Sequence, residues 1–301
     1  MKKAIILMVH QMPEQINIFI SQLLADKETD VYVHVSGKYS SIKAEIIKND
    51  RVYICDKNIV INWGSDEYIK ALIIMYREVL KAQKDYQYVL VATGQDLLVR
   101  KGLDDFLQKH NGEIFVECHN EPDMETHMKT RVFHRWPEIY RRKYDFKYHP
   151  LRLLRSLRYR MIMAGLPIGQ KKLSPKVKAM KIYYSYVWYA IPLEVMEYVV
   201  SFVDNRPDFM ELFSEGLFQS ECFLATIIMQ SKYKDRIAFE GYRSKSLTFL
   251  KEMDNMHPPI LTMNDIKQIE ESGFFFARKF DIRVDPEVVD YYKQLILSEG
   301  E

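Results

Sequence analysis

Residues 88–99 read YVLVATGQDLLV: an apolar run, a threonine, then Gly94-Gln95-Asp96 before a second apolar run begins. Tyr88–Ala92 has the β-branched, apolar composition of a buried strand. Glycine and aspartate are common turn formers. The polar triplet therefore reads either as a plain turn or as a polar site at the end of a buried strand. A turn at this place can serve both roles, and the neighbouring segments decide what sheet the strand joins.

Working outward, Ala4–Val9 is a second apolar run, and 13–24 (PEQINIFISQLL) carries Ile16, Phe19, Ile20, Leu23 and Leu24 on one helix face. Strand-like segments follow at 30–35 (DVYVHV) and 52–55. Ser65–Ala82 has Ile69, Leu72, Ile73, Tyr76, Val79 and Leu80 on one stripe, which predicts a helix. Strands alternating with helices predict an α/β protein with a central sheet flanked by helices. Such sheets bind ligands at the carboxyl ends of their strands. Gly94-Gln95-Asp96 falls at one such end. Val9 and His10 fall at another.

Composition narrows the class. The 301 residues are 48% hydrophobic and 28% charged, with 20 Tyr and 16 Phe, enough for a packed core and unlike a disordered chain. A net charge of +2 gives no reason to expect an acidic partner. Cys55, Cys118 and Cys222 are odd in number and widely spaced, fitting neither a disulfide framework nor zinc-ligand spacing, so a reducing cytosol is the natural setting. The opening MKKAIILMVH has the charge of a signal peptide, but its apolar run ends at Val9, shorter than the ~7–15 residues such a core needs. No stretch approaches the ~20 apolar residues of a membrane span.

The middle of the chain is basic. Residues 141–181 hold thirteen Lys or Arg and a single acid, Asp145. Within them, LRLLRSLRYRMIM (151–163) puts Leu151, Leu154 and Leu157 on one side, with Arg152, Arg155 and Arg158 at their own three-residue spacing. A basic amphipathic helix suits the surface of a membrane or an anionic partner. It suits equally a solvated helix that covers the sheet; the competing arrangement is a helix packed into the fold with its arginines pairing internally, or one facing a partner subunit. No RNA-binding motif accompanies the charge, so nucleic acid is not an expected partner. In the last third, 193–203, 221–230 and 264–272 have helical patterns, the last with Asn or Thr262 as a plausible cap.

Several motifs are absent. There is no G-x-x-x-x-G-K-[ST], G-x-G-x-x-G or G-x-S-x-G. No H-x-x-x-H stands on a convincing helix, so a catalytic zinc site is not expected. There is no D-x-D, the pair with which many sugar-nucleotide transferases hold a divalent metal.

Eight stretches taken together are similar to the core-2/I-branching N-acetylglucosaminyltransferase and xylosyltransferase family, in its compact bacterial form. They are VHQMPEQ (9–15), DVYVHV (30–35), WGS (63–65), TGQDL (93–97), FVE (115–117), WYAIPLEV (188–195), SECFLATI (220–227) and FFARKFD (275–281). Their order and spacing cover nearly the whole chain. The resemblance implies one glycosyltransferase domain over 1–301 with a GT-A-like fold. Its nucleotide-binding half would be 1–110, and its acceptor and catalytic half 111–301. It implies an inverting transfer, without metal or other cofactor, from a UDP-sugar (UDP-GlcNAc by default) to a sugar hydroxyl of a bacterial surface glycan precursor. Acceptors of this kind are commonly carried on a polyprenyl diphosphate, which would put the enzyme in the cytoplasm, in peripheral contact with the inner membrane face.

The resemblance also implies roles. Inversion needs one base to take the acceptor proton as the hydroxyl attacks from the opposite face, and the family's base aligns with Glu221. The other reading of Glu221 is an acid complementing a helix dipole. Lys279 matches the family's diphosphate lysine with Arg278 beside it; otherwise they are a basic pair near a helix end. Glu117 matches an acid that holds acceptor hydroxyls, with Gln95 and Trp188 on the same acceptor side. Asp96 would lie near the donor–acceptor junction, and Val9 and His10 would border the nucleoside. Trp63 is a candidate sugar platform, though a core position is the commoner fate of tryptophan.

Three departures stand out. Ser36 occupies a position where members often carry Asp, Pro259 stands where some have a second diphosphate arginine, and the family's G-S-x-(W/Y) is here Ser185-Tyr186-Val187-Trp188. Ser36 and Pro259 motivate an alternative: a catalytically silent sugar- or lipid-binding protein with the same fold.

Overall fold

A computed structural model of the chain describes residues 1–119, 122–141, 149–240, 243–251 and 258–298. The first half alternates as the apolar patterning requires: β1 (Lys3–Val9), α1 (Pro13–Leu24), β2 (Thr29–Val35), β3 (Val52–Ile54), α2 (Glu67–Lys81) and β4 (Tyr88–Thr93). Then come β5 (Asp96–Leu98), α3 (Leu103–Lys109), β6 (Cys118–His119), α4 (Pro122–Val132), α5 (Glu138–Arg141), α6 (His149–Met163) and α7 (Pro175–Lys178). The remainder is β7 (Tyr184–Ser185), β8 (Tyr189–Pro192), α8 (Leu193–Asn205), α9 (Pro207–Leu212), α10 (Ser220–Met229), β9 (Phe239–Glu240), β10 (Arg243–Ser244), β11 (Thr248–Leu250), α11 (Ile266–Ser272), β12 (Phe276–Arg278) and α12 (Pro286–Leu297).

The main sheet has five strands in the order β3-β2-β1-β4-β8, the first four parallel and β8 antiparallel to β4. Period-2 alternation sends the two sides of each strand to different cores. Ala4, Ile6 and Met8 of β1 face a core built with α2, α8 and α10, whereas Ile5, Leu7 and Val9 face one built with α1 and α12. The protein is thus mixed α/β, with helices on both faces of a mixed central sheet. From β1 the chain moves to β2 and β3 on one side and returns to β4 on the other. The carboxyl ends of β1 and β4 therefore flank the point where strand order reverses, which is where sheets of this kind open a crevice.

A second sheet, β11-β12-β5, is laid beside that crevice. Its antiparallel register sets Arg278 directly opposite Asp96. Ile114, Phe115 and Val116 are fully buried yet form only single bridges, Ile114 to Ile237 and Phe115 to Ala190. Thr262 does cap the turn into α11: its hydroxyl and Asp265 form a reciprocal capping box.

The basic helix takes the arrangement in which its arginines make internal contacts. Arg155 stacks over Trp63 at 5.1 Å, and Arg158 lies over Trp136 and donates to the Arg135 carbonyl at 2.8 Å. These arginines are turned inward, while Leu154 and Leu157 face out. Both guanidiniums find aromatic faces inside, and Arg158 also donates to backbone carbonyls, which offsets part of their desolvation. The Arg152 side chain lies outside the described residues. No helix among the described residues is long and apolar enough to cross a membrane.

Candidate active site

The turn that follows β4 is held by its own side chains. Asp96 accepts a 2.7 Å hydrogen bond from the Thr93 amide and a 3.1 Å one from the Thr93 hydroxyl, closing the loop over Gly94 and Gln95. A Cβ on Gly94 would lie 3.1 Å from Ile16 and 3.3 Å from Val9, so glycine lets α1 and β1 approach the turn. Gln15 of α1 is fully buried. It donates to the carbonyls of Gly94 (2.9 Å) and Phe280 (3.2 Å) and accepts from the Ile282 amide (2.8 Å). One glutamine thus locks the β4 turn to the segment carrying Arg278 and Lys279, whose shared peptide is cis. The Gln95 carbonyl adds a 2.9 Å bond from the Phe280 amide.

Asp96 and Arg278 form a buried ion pair at 3.3 Å. Burial raises the Asp96 carboxyl above its ordinary value, opposed first by the Arg278 charge and then by the Thr93 hydrogen bonds. On its other side the Arg278 guanidinium sits 3.9 Å from the centroid of the Trp188 ring. Trp188 stacks on Tyr186 at 4.6 Å and 12°, and Tyr186 meets Tyr184 edge-on at 5.5 Å. A ladder therefore runs from Asp96 through Arg278, Trp188 and Tyr186 to Tyr184.

The far end of that ladder carries the acids. β7 pairs with β6, and Glu117 immediately precedes β6. The charges of both Glu117 and Glu221 act on Tyr186, and that of Glu221 on Tyr184, where each adds to burial in raising the phenol pKa. Glu221 opens α10 in the first turn, where its charge also complements the helix dipole. Arg131 of α4 donates to it at 2.8 Å. Burial nonetheless raises the Glu221 carboxyl, with Arg131 opposing, and 30% of the side chain stays exposed. A partly exposed carboxylate of raised pKa is suited to accept a proton.

At the near end, Lys279 is half-buried and its charge acts on both Asp96 and His10. His10 stands at the end of β1 against Tyr39, and desolvation, Lys279 and Arg283 together lower its pKa. Val9 is buried, and its carbonyl accepts from the Ser36 amide at 2.9 Å. The Ser36 hydroxyl in turn accepts from the Ile61 amide at 3.1 Å, so the residue at the first departure ties two loops together. The segment of Pro259 runs beside Lys279, where the Leu261 amide donates to the Lys279 carbonyl at 2.8 Å. His257 lies outside the described residues.

Eight of the nine site candidates named from the sequence thus form two groups. Val9, His10, Gln95, Asp96, Arg278 and Lys279 gather at the crevice; Glu117 and Glu221 gather at the far end. Trp188, expected on the acceptor side, lies between the two, in contact with both Arg278 and Tyr186. Trp63 packs edge-on to Phe218 at 4.4 Å with Arg155 over its ring, and it is half-buried, outside the hydrophobic cores.

Sequence reading missed Gln15, Tyr68, Arg131, Tyr184 and Tyr186. Gln15 and Tyr186 lie inside quoted stretches, but neither residue type announces a role there. Arg131 sits in a run of mixed charge with no signal at all.

Arg278 Nε, Trp188 Nε1 and the Tyr68 hydroxyl are buried and have no hydrogen-bond partner among the described residues, while Arg278 Nη1 is committed to Asp96. The charges of Arg278 and Asp96 act on Tyr68, so these groups share one neighbourhood. Buried donors are normally satisfied. Several together, beside a cation, make a place for anionic oxygen. Among the described residues no cluster of three His, Cys, Asp or Glu could hold a metal ion. No protein-family model matches this chain, and no curated protein matches it.

Proposed function

We propose that this protein is an inverting glycosyltransferase of GT-A-like fold that moves a sugar from a UDP-sugar to a sugar hydroxyl without a metal. The observation that carries the reading is the buried group of Arg278 Nε, Trp188 Nε1 and the Tyr68 hydroxyl, none of them hydrogen-bonded among the described residues, at the strand-order reversal. It suits the oxygens of a diphosphate.

In this reading the donor's nucleoside lies over the ends of β1 and β2, bordered by Val9 and His10. Its diphosphate meets Arg278 and Lys279. The acceptor lies along Tyr186 and Tyr184, with Glu117 accepting from its hydroxyls. The acceptor oxygen attacks the anomeric carbon as the bond to the β-phosphate oxygen breaks on the opposite face. Glu221 takes the hydroxyl proton, and the charge left on UDP is met by fixed cations that need no reorganisation. The Asp96 ion pair holds Arg278 in place against Trp188. GlcNAc is the default sugar, and a cytoplasmic enzyme acting on a surface glycan precursor is the setting.

The test is a panel of nucleotide sugars, with and without EDTA, read by thermal shift and by transfer or hydrolysis. Stabilisation by UDP and turnover of one UDP-sugar in EDTA support the reading. Failure of every UDP-sugar to bind or react overturns it. Binding of a sugar without turnover, unaltered by Glu221→Ala, would favour the catalytically silent alternative.

A further inference from the structure

The outward face of α6 has no use in the site above. Its inner face is committed: Ile162 is buried, Tyr159 packs against Trp136, and Arg155 and Arg158 cover Trp63 and Trp136. The outer face and the turn after it carry Leu154 (44% exposed), Leu157 (55%), Met163 (38%) and Leu166 (45%). Ten large apolar side chains are strongly exposed among the described residues, and these four fall within thirteen consecutive positions. Single exposed leucines need no explanation; a local group of them does.

The charge along this stretch of sequence is of one sign. Residues 146–181 contain no Asp or Glu, and Arg160, Lys172, Lys176, Lys178 and Lys181 are exposed. Two copies meeting through this face would set a basic strip against itself, which like-charge repulsion opposes. Apolar tips flanked by cations fit instead an interface that is anionic at the headgroups and apolar just beneath.

We infer that α6 and the turn to Leu166 dock this protein on an anionic phospholipid surface. Leu154, Leu157, Met163 and Leu166 enter the acyl boundary, and Arg160 and Lys172 contact the headgroups. The arginines at 155 and 158 take no part, because their contacts are internal. This inference stands apart from the glycosyltransferase reading, since lipid binding is measured without donor or acceptor.

The experiment is sedimentation of the full chain with phosphatidylcholine vesicles with and without phosphatidylglycerol. Binding is expected only to the anionic vesicles and is expected to weaken at high salt. Leu154→Ser with Leu157→Ser should reduce the partition coefficient at least tenfold. Arg160→Gln and Lys172→Gln should each reduce it about fivefold, the usual worth of one basic residue near such a surface. All four positions are exposed, so circular dichroism and melting temperature should stay at wild-type values and separate lost docking from lost folding. Absence of wild-type sedimentation with anionic vesicles overturns the inference, as does undiminished binding by the folded leucine variant. A wild-type dimer that the leucine variant converts to monomer, with no lipid binding by either, assigns the face to self-association and overturns it as well.

Discussion

Arg131 Nη1 donates to Glu221 Oε2 at 2.8 Å, joining α4 to the first turn of α10 across 90 positions of sequence. Burial and this cation act on the carboxyl in opposite directions, and burial prevails. In the proposed reaction Glu221 must be ionised, so turnover falls as pH drops through its pKa. Arg131→Gln removes the opposing influence. The pKa should rise further, and the acid limb of kcat/KM should move to higher pH. A limb that stays in place or moves down would mean that Arg131 does not act on the base.

Glu221→Gln keeps the shape and removes the proton acceptor. Turnover should fall about 10²–10⁴-fold, the usual worth of a general base. UDP affinity should stay near wild type, because Glu221 lies at the opposite end of the aromatic ladder from Arg278. Calorimetry beside steady-state kinetics checks both halves. Joint loss of binding and turnover would assign Glu221 a structural role through Arg131.

Asp96 and Arg278 face each other in an antiparallel register, each almost wholly buried. Asp96→Ala leaves a buried guanidinium without its counter-charge, which should destabilise the fold by about 3–5 kcal/mol in urea unfolding. Combining it with Arg278→Leu should cost clearly less than the sum of the single changes. Strict additivity would mean that the pair is not coupled.

Much of this framework was legible in the residues. β1, α1, β2, α2 and β4 follow from local periodicity, and the crevice follows from their alternation, so periodicity alone puts Asp96 and His10 at strand ends. Ile114–Val116 is an apolar run that burial alone accounts for, since its neighbours give it single bridges and no ladder. The arginines of α6 read as a solvent face because periodicity ranks guanidiniums as polar. Trp63 and Trp136, one 92 residues before Arg155 and the other 22 before Arg158, supply the aromatic faces that turn them inward. The Arg131–Glu221 pair and the stacking of Trp188 on Arg278 are contacts between distant elements, and no local spacing encodes them.

Gly94 answers to packing: the nearest atoms to a Cβ there belong to Ile16 and Val9, both in the core beneath α1. Gly94→Val should cost about 1–3 kcal/mol, the range for overpacking a close-packed site. It should also loosen the Gln15 hydrogen bond to the Gly94 carbonyl. Because that glutamine ties the turn to the Arg278 strand, UDP affinity should fall along with the melting temperature. Full affinity in a destabilised variant would separate the turn from the binding site.

His10 offers a readout of donor binding that needs no turnover. Desolvation, Lys279 and Arg283 hold its pKa below the ordinary 6.5, so the free protein should show a His10 imidazole resonance titrating below that value. A diphosphate bound at Lys279 would add negative charge close to the ring and offset the two cations, which favours the protonated form and raises the pKa. By linkage, a ligand that raises a pKa must bind more tightly as pH falls through the interval between the free and bound values. UDP affinity should therefore increase on acidification through that interval, and His10→Gln should flatten the dependence while leaving affinity above the interval nearly unchanged. Uridine lacks the diphosphate and should leave the His10 titration where it is in the free protein. A His10 pKa that UDP lowers, or that uridine and UDP shift alike, would remove the diphosphate from the neighbourhood of Lys279.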